Sequence, residues 1–238
     1  MKGKKRYITG MLPFFAAFVF LLWQGQRLVT EKKMEQQVWQ MKAELSQGEI
    51  TEAMVKSMKK FPGAERLWMI LETEVEVSVK EYKGSFSLEG VELEDYPLTV
   101  LQSTGEKTLG NKPLLAVGED FFQQLLDAGE NPVSKRQQAA LKENLSSLEA
   151  EIQVLSEGDG EEETESTAGE FLGVVKESGL YMEWEQMQSW LKDQGIHPRL
   201  GKVCLEIRGK TNAEQAEKSL TQAGFTVEKK QIRQSSSS

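Results

Sequence analysis

Strict alternation of apolar and polar residues over residues 71–79 is the clearest pattern in this chain. One side carries Leu71, Thr73, Val75, Val77 and Val79. The other side carries Glu72, Glu74, Glu76 and Ser78. A period of two predicts a β-strand with one buried face. A turn at Lys83-Gly84 and renewed alternation around Phe86 and Leu88 extend the strand to a hairpin, whose outer face we expect to be acidic and solvated.

Four further segments have strand character. They are Pro113–Val117, Leu148–Val154, Phe171–Val175 and Leu180–Met182. Between the second and the third lies the segment Glu157–Ala168, which has six acids in nine positions up to Glu165 and no basic residue. We interpret it as a long, mobile hairpin tip. A calcium site is the alternative, but these acids do not follow the alternating Asp/Asn pattern with a terminal Glu that calcium loops show.

Helical spacing predicts four helices in the same part of the chain. The first begins at the N-cap Thr51 and is closed by Pro62-Gly63. The second carries Phe121, Phe122, Leu125 and Leu126 and stops at Gly129. The third covers Lys135 to about Leu145, after a capping box of Ser134 and Gln137. The fourth carries Trp184, Met187, Trp190 and Leu191 and ends at Gly195, and core packing explains these aromatic residues better than a ligand cage.

The C-terminal part predicts a β-α-β unit. A strand at Val203–Ile207 precedes a capping box of Thr211 and Glu214, a helix that Gly224 terminates, and a strand at Phe225–Val227. We expect residues 231–238, which end in a run of serines, to be a disordered tail.

Residues 30–47 carry an apolar stripe at alternating steps of four and three. Its members are Met34, Val38, Met41 and Leu45, and the segment lacks proline. This spacing predicts a juxtamembrane helix over residues 30–47. The stripe either packs on its own domain, which we favour, or forms a coiled-coil dimer.

The N-terminus carries a basic cluster followed by a charge-free apolar run. Lys2, Lys4, Lys5 and Arg6 precede the 17 residues 7–23. That length is at the lower limit for crossing a bilayer and longer than a signal-peptide core. Trp23 occupies a position where a signal peptidase requires a small residue, so we predict an uncleaved anchor rather than a signal peptide. Residues 1–29 are then a cytoplasmic basic leader and a single transmembrane helix, and the positive-inside tendency places the rest of the chain outside the cytoplasm.

The charge of the exported part argues against nucleic acid as a partner. The whole chain has a formal charge of -8, and the five basic residues of the leader leave -13 on the remainder. An acidic domain binds neither nucleic acid nor an anionic lipid surface well. Cys204 is the single cysteine, so an intramolecular disulfide is impossible, and we expect it to be a buried structural thiol.

The chain offers little catalytic chemistry. His197 is the single histidine and lies between a Gly and a Pro, in what we predict to be a surface loop. Glu-rich strands contain many carboxylate pairs, but their regular alternation indicates a solvated sheet face rather than a glycosidase site. We therefore predict no enzyme activity and assign no catalytic, cofactor-binding or metal-binding residue.

The order of the predicted elements resembles a known family. Gly48-Glu49-Ile50-Thr51 opens a helix, Phe61-Pro62-Gly63-Ala64 closes it, and a long strand and Phe86–Val91 follow. Pro113–Phe121, Gly169–Val175 and the final β-α-β unit continue the same order. This order is similar to that of the MacB-like periplasmic core domain, the extracytoplasmic domain of FtsX-like permeases of ABC transporters. The resemblance covers roughly residues 8 to 230.

The resemblance implies an α+β fold with two lobes. One lobe is porter-like, with β-α-β elements from both ends of the domain, and the second lobe, which contains antiparallel hairpins, is inserted between them. The predicted domains are residues 1–29, the juxtamembrane helix 30–47, the extracytoplasmic α+β domain 48–230 and the tail 231–238. Such domains carry no catalytic residues.

Three functions follow from these expectations. The leading one is a single-pass binding or assembly module anchored in the membrane by residues 7–23, beside a permease-like partner or a copy of itself. We expect a partner because family members continue with three more spans, whereas no later run here is comparably apolar. The alternative is an exported domain that binds a peptide, lipid or antibiotic between its lobes, and the third is a carboxylate-dependent hydrolase.

Overall fold

A computed structural model describes residues 36–105, 112–155 and 165–232 of the chain. The strands are β1 Val38–Leu45, β2 Ala64–Val79, β3 Tyr82–Val91, β4 Val100–Ser103, β5 Leu114–Gly118, β6 Glu149–Val154, β7 Thr167–Val175, β8 Leu180–Glu183, β9 Arg199–Arg208 and β10 Phe225–Ile232. The α-helices are α1 Glu52–Met58, α2 Phe121–Gln124, α3 Lys135–Glu143, α4 Trp184–Asp193 and α5 Lys210–Gln222. The predicted mixture of helices and strands is confirmed.

Several predicted segments lie outside the described residues. They are the leader and transmembrane segment at 1–29, most of the acidic tip and residues 233–238. In the described ranges, none of the helices has the length and apolar composition that a membrane crossing requires.

The described residues divide into two compact units. Unit 1 contains residues 36–42, 56–67 and 205–232, and unit 2 contains 43–55, 68–105, 112–155 and 165–204.

Unit 1 is built from two β-α-β units whose strands interleave. Its strand order is β10-β1-β9-β2, so β9 lies between β1 and β2, and β1 lies between β9 and β10. This is the split β-α-β arrangement of ferredoxin-like folds. Ala213, Ala216 and Leu220 are the buried residues of α5. The β-α-β unit predicted at the C-terminus is confirmed.

The juxtamembrane helix predicted over residues 30–47 is wrong where the structure describes it. Val38–Leu45 form strand β1. Met41, Ala43 and Leu45 are buried and alternate with the less buried Lys42 and Glu44. Hydrogen bonding to two neighbouring strands decides the conformation here, because long-range pairing overrides a local helical spacing. The folded domain therefore begins before residue 48, and β10 extends it past 230 to Ile232, into the predicted tail.

The capping box predicted from Thr211 and Glu214 is also wrong. Helix α5 begins at Lys210, and its N-cap is Gly209, whose φ of 91° favours glycine. The Gly209 N–H donates to the Gln37 carbonyl at 2.9 Å, and the Ala213 N–H donates to the Gly209 carbonyl at 3.0 Å. The backbone of Gly209 thus forms the first turn, and the helix begins before Thr211.

Six strands of unit 2 form a closed ring. β2, β3, β8, β5 and β7 are neighbours in that order, and β6 pairs antiparallel with both β7 and β2. The antiparallel register sets Val75 opposite Phe86 on one edge of β2 and opposite Val154 on the other. The β6–β7 hairpin is confirmed, although β7 begins at Thr167, earlier than the predicted end of the tip.

Apolar side chains from all six ring strands belong to one buried cluster, which residues of α2, α3 and α4 complete. Leu71, Val75, Val77 and Val79 are buried in it, so the predicted buried face of β2 is confirmed. A second cluster contains Trp68, Tyr96, Tyr181 and Cys204, and the predicted burial of the Cys204 thiol is confirmed.

Two local predictions in unit 2 need correction. The hairpin turn is Lys80-Glu81 rather than Lys83-Gly84, because Val79 pairs with Tyr82. Lys83 instead lies in β3 and exchanges two backbone hydrogen bonds with Leu126, of 2.9 and 2.8 Å. This pairing holds residues 125 and 126 extended, so α2 ends at Gln124 instead of continuing to Gly129. The capping box of Ser134 and Gln137 on α3 is confirmed.

Two edges in unit 2 are shared by two strands each. One edge of β7 pairs with β6 over Thr167–Glu170 and with β4 over Gly173–Val175, while β5 occupies its other edge. One edge of β2 pairs with β6 over Val75–Ser78 and has β9 as its other neighbour, while β3 occupies the opposite edge. We call these two places the β7 fork and the β2 fork.

Gly63 and Gly48 offer a paired test of the fold. Both have a positive φ, of 75° and 86°. A Cβ at position 63 would overlap the Arg208 carbonyl oxygen, whereas nothing lies within 4 Å of a Cβ at position 48. Gly48→Ala is expected to cost about 1–2 kcal/mol, from backbone strain alone. Gly63→Ala is expected to cost about 1–3 kcal/mol more, because the strand beside it must shift. Urea denaturation measures both, and equal costs would contradict the described contact.

Candidate functional site

A groove of about 450 Å³ lies at the β2 fork, and we call it the junction groove. Its lining includes Thr73 of β2 and the apolar side chains of Val154, Leu155, Ile196 and Pro198. Its charged lining residues are Glu44, Glu72, Glu74 and Arg199, with His197 beside them. The groove exists because β6 ends near Leu155, whose N–H donates to the Glu74 carbonyl at 2.8 Å, while β9 begins at Arg199.

Lys202 of β9 organises the charges at this fork. Its Nζ hydrogen-bonds to Glu72 Oε1 and lies 3.7 Å from Glu44 Oε2 and 4.0 Å from Glu89 Oε1. Only 17 % of the Lys202 side chain is exposed. The Ser87 hydroxyl also donates to Glu72 Oε1, at 2.6 Å. The prediction of a wholly solvated acidic face is therefore wrong at this end of β2 and β3, where a lysine brought in by β9 lies among the glutamates.

Opposing effects act on the pKa of Lys202. Burial alone would lower it, but the hydrogen bond to Glu72 and the charges of Glu72, Glu89 and Glu44 outweigh burial, so the pKa is raised above its ordinary 10.5. Lys202 thus carries its charge at neutral pH. Glu72 accepts hydrogen bonds from Lys202 and Ser87, so its carboxylate has a structural role.

Arg199 fixes the rim of the junction groove. Its Nε donates to the Gly48 carbonyl at 3.0 Å, and one terminal nitrogen donates to the Leu45 carbonyl at 3.3 Å. The Ile50 N–H donates to the Leu200 carbonyl at 2.8 Å.

His197 lies in an exposed loop as predicted. In the described ranges, no group of three or more His, Cys, Asp or Glu residues is arranged to hold a metal ion.

Strand β4 is the last strand of the sheet and pairs with β7 at the β7 fork. Its residues are all exposed, and Val100 and Leu101 are 66 % and 51 % exposed. Among the described residues, no strand pairs with its outer edge. The register shifts between Val100 and Gln102, so Leu101 occupies a β-bulge. No periodicity in the sequence predicts this strand, since four residues are too few to show a period of two.

A second groove, which we call the acidic groove, lies next to the end of β4. It has a volume of about 460 Å³ and is lined by Leu93, Leu114 and Leu172 together with carboxylates. These carboxylates belong to Glu92, Glu94, Asp95, Glu183 and Glu185. The described residues that line it include no basic side chain. The Thr104 N–H donates to the Leu172 carbonyl at 3.0 Å, which joins the end of β4 to this groove.

Comparison with known proteins finds similarity at the level of structure. No protein-family model matches the sequence, and no curated protein matches it significantly. The extracellular domain of the noncanonical ABC-type transporter YknZ from Gram-positive bacteria is 11 % identical, with a TM-score of 0.42 over 79 % of this chain and 99 % of that one. The periplasmic region of MacB from Actinobacillus actinomycetemcomitans is 15 % identical, with a TM-score of 0.43 over 79 % of this chain and 87 % of that one.

A third similar structure is a domain of a protein described as a permease, from Porphyromonas gingivalis. It is 9 % identical, with a TM-score of 0.37 over 84 % of this chain and 91 % of that one. The sequence of the present chain resembles the same class of domain, the extracytoplasmic domain of a transporter permease.

Lys202→Met tests the role of the buried lysine. Removing its charge takes a hydrogen bond from Glu72 and a nearby positive charge from Glu89, so we expect a loss of about 2–3 kcal/mol in the free energy of unfolding at pH 7. Lys83→Met is the control, because the exposed Lys83 pairs with Glu76 at 3.3 Å. Its substitution should lower the free energy of unfolding by less than about 1 kcal/mol.

The pH dependence gives a second readout for Lys202. A lysine whose pKa is raised by folding contributes stability fully below its unfolded pKa and loses that contribution as the pH rises through the folded value. The difference between wild type and Lys202→Met should therefore persist through neutral pH and shrink as the pH rises above about 10.5. Equal costs for the two lysine substitutions, or a difference that vanishes near neutral pH, would contradict this role.

Proposed function

We propose that the chain is a membrane-anchored extracytoplasmic module that binds a protein partner, and that this partner is a permease of the ABC-transporter type. The observation that carries the proposal is strand β4, which is held in place on one side and presents an exposed edge with two apolar side chains on the other. Exposed sheet edges are templates for pairing with another chain. The exposed edge of β4 is therefore a surface on which a strand of another protein can pair.

The anchor and the orientation come from the sequence. Residues 7–23 have the length and apolar composition of a membrane span, and the basic residues before them place the N-terminus in the cytoplasm. The described domain then lies outside the cytoplasm, joined to the span through the residues before Val38. The resemblance to MacB-like domains supports a permease as the partner in that membrane.

The proposal assigns no catalysis to the domain. The carboxylates that a hydrolase would need on β2 include Glu72, which is hydrogen-bonded to Lys202 and Ser87. A binding module needs no titrating group at its contact surface, and β4 contains none.

Site-specific photo-cross-linking in intact membranes tests this function. A photoreactive residue at Leu101 of the full-length chain should form cross-links with one defined membrane protein, identified by mass spectrometry as a transporter permease. The matched control places the same group at Gln222, an exposed residue of α5 remote in sequence from β4. A collection of abundant proteins recovered equally from both positions would contradict the proposal.

The junction groove favours a second function, which is the capture of an amphiphilic ligand such as a peptide, lipid or antibiotic. Its mixture of apolar and charged side chains suits such molecules. A specific ligand raises the melting temperature with its concentration. Leu155→Asp, within the groove, should abolish that rise, while Met69→Asp should preserve it, since the two side chains are similarly exposed at 39 % and 38 %. This second function would be excluded if no compound raised the melting temperature of the wild type, or if every compound that did so raised that of Leu155→Asp equally.

A further inference from the structure

Strand β4 carries little of the protection that sheet edges usually have. Natural edge strands are blocked by lysine, proline, inward charges or covering segments. The four residues of β4 are Val100, Leu101, Gln102 and Ser103, and none of them is charged or proline. Within the described ranges, the usual devices that β4 has are its short length and the bulge at Leu101. An edge strand that is apolar and uncharged is suited to accept another strand.

The edge is also held rigidly before any partner arrives. At its start, the Thr99 N–H and hydroxyl donate to the Glu177 carboxylate at 2.7 and 3.0 Å. In its middle, the Gln102 side chain donates to the Lys142 carbonyl at 2.9 Å. At its end, the Thr104 hydroxyl donates to the Phe171 carbonyl at 2.8 Å. Because these contacts fix the strand in advance, a pairing segment pays little to order it.

The two ends of β4 differ in the acidic side chains that lie near them. The acidic groove begins at Leu172, which is hydrogen-bonded to the residue just beyond β4. Neighbouring strands lie about 5 Å apart, so a strand added to the outer edge of β4 would lie about 10 Å from Leu172 on β7, a separation that the long side chains of a lysine and a glutamate bridge together. At the opposite end, the Lys176 N–H donates to the Thr99 carbonyl, and the one carboxylate described in contact with Thr99, that of Glu177, already accepts hydrogen bonds from it.

From this arrangement we infer that β4 binds an extended segment of the partner protein as an added β-strand, and that the end of this segment beside Thr104 carries lysine or arginine. Main-chain hydrogen bonds to β4 supply the pairing, apolar side chains of the segment cover Val100 and Leu101, and its basic residues enter the acidic groove. This inference rests on the proposed function and defines the chemistry of the partner's contact.

A second copy of this chain fits the same edge less well. Pairing β4 with β4 would place two uncharged edges together but bring two acidic grooves into one interface, and like charges across an interface weaken association. The exported part of the chain is acidic as a whole, which adds to this repulsion. A basic segment of another protein has the complementary charge.

Synthetic peptides bound to the full-length chain in detergent test the inference. The probes are an alternating Val-Thr peptide that ends in lysines, its counterpart that ends in glutamates, and a version interrupted by prolines. Fluorescence anisotropy should show binding of the lysine peptide, binding at least about tenfold weaker for the glutamate peptide, and none for the proline peptide, which cannot pair.

Two variants of the chain locate the contact. Leu101→Lys should weaken binding of the lysine peptide at least about tenfold, whereas Met69→Lys, at an exposed apolar position on β2, should leave it unchanged. Glu94→Lys, in the acidic groove, should weaken the lysine peptide and strengthen the glutamate peptide. Equal binding of the two charged peptides, or an unaltered affinity in Leu101→Lys, would overturn the inference.

Two other outcomes separate the alternatives. Concentration-dependent dimerisation that Leu101→Lys abolishes, without peptide binding, would assign the edge to a second copy and overturn the inference. If no peptide binds but cross-linking from Leu101 still recovers a permease, the strand-pairing inference fails and the proposed function stands. If cross-linking recovers no defined protein, the proposed function itself fails.

Discussion

Closure of the six-stranded ring by β6 is the constraint on which the rest of unit 2 depends. β6 is hydrogen-bonded to β2 on one side and to β7 on the other, so both strands use part of one edge to complete the ring. β6 has only six residues, whereas β2 has 16 and β7 has nine. The longer strands must therefore find other partners for the rest of their edges, and each fork follows from this difference in length.

The two forks differ in whether their carboxylates lie beside a basic residue. At the β2 fork, glutamates from β2 and β3 meet Lys202 from β9, so buried charge is neutralised within the structure. At the β7 fork, the carboxylates of the acidic groove have no basic residue among its described lining. Unpaired charge at a surface costs little in water and becomes useful when a partner supplies the opposite sign. The first fork is thus a structural element, and the second is the better candidate for recognition.

The sequence predicts the ring strands well and the forks poorly. Alternation in β2 and β6 identifies buried faces because one side of each strand points into a core. In the sequence around β1, Met34, Val38, Met41 and Leu45 fit a helical period. Met41, Ala43 and Leu45 fit a strand, and the neighbours β9 and β10 decide between the two.

Contacts between residues far apart in the chain cannot be predicted from the local patterns of one sequence. Lys202 and Glu72 are 130 residues apart, and no local pattern predicts that they meet. Strand β4 is defined by its pairing with β7 rather than by its own four residues. The turn at Lys80-Glu81 is not predictable for a similar reason, because the Gly84 signal is local whereas the register of β2 and β3 is set along their whole length.

Amide hydrogen exchange tests most directly whether the partner binds at the outer edge of β4. The measurement compares exchange at residues 100–104 in the purified full-length chain and in its complex with the cross-linked partner. Because an added strand would hydrogen-bond the outward amides of β4, exchange there should slow markedly in the complex while that of the ring strands stays the same. Unchanged exchange at residues 100–104, together with new protection elsewhere on the domain, would contradict the account.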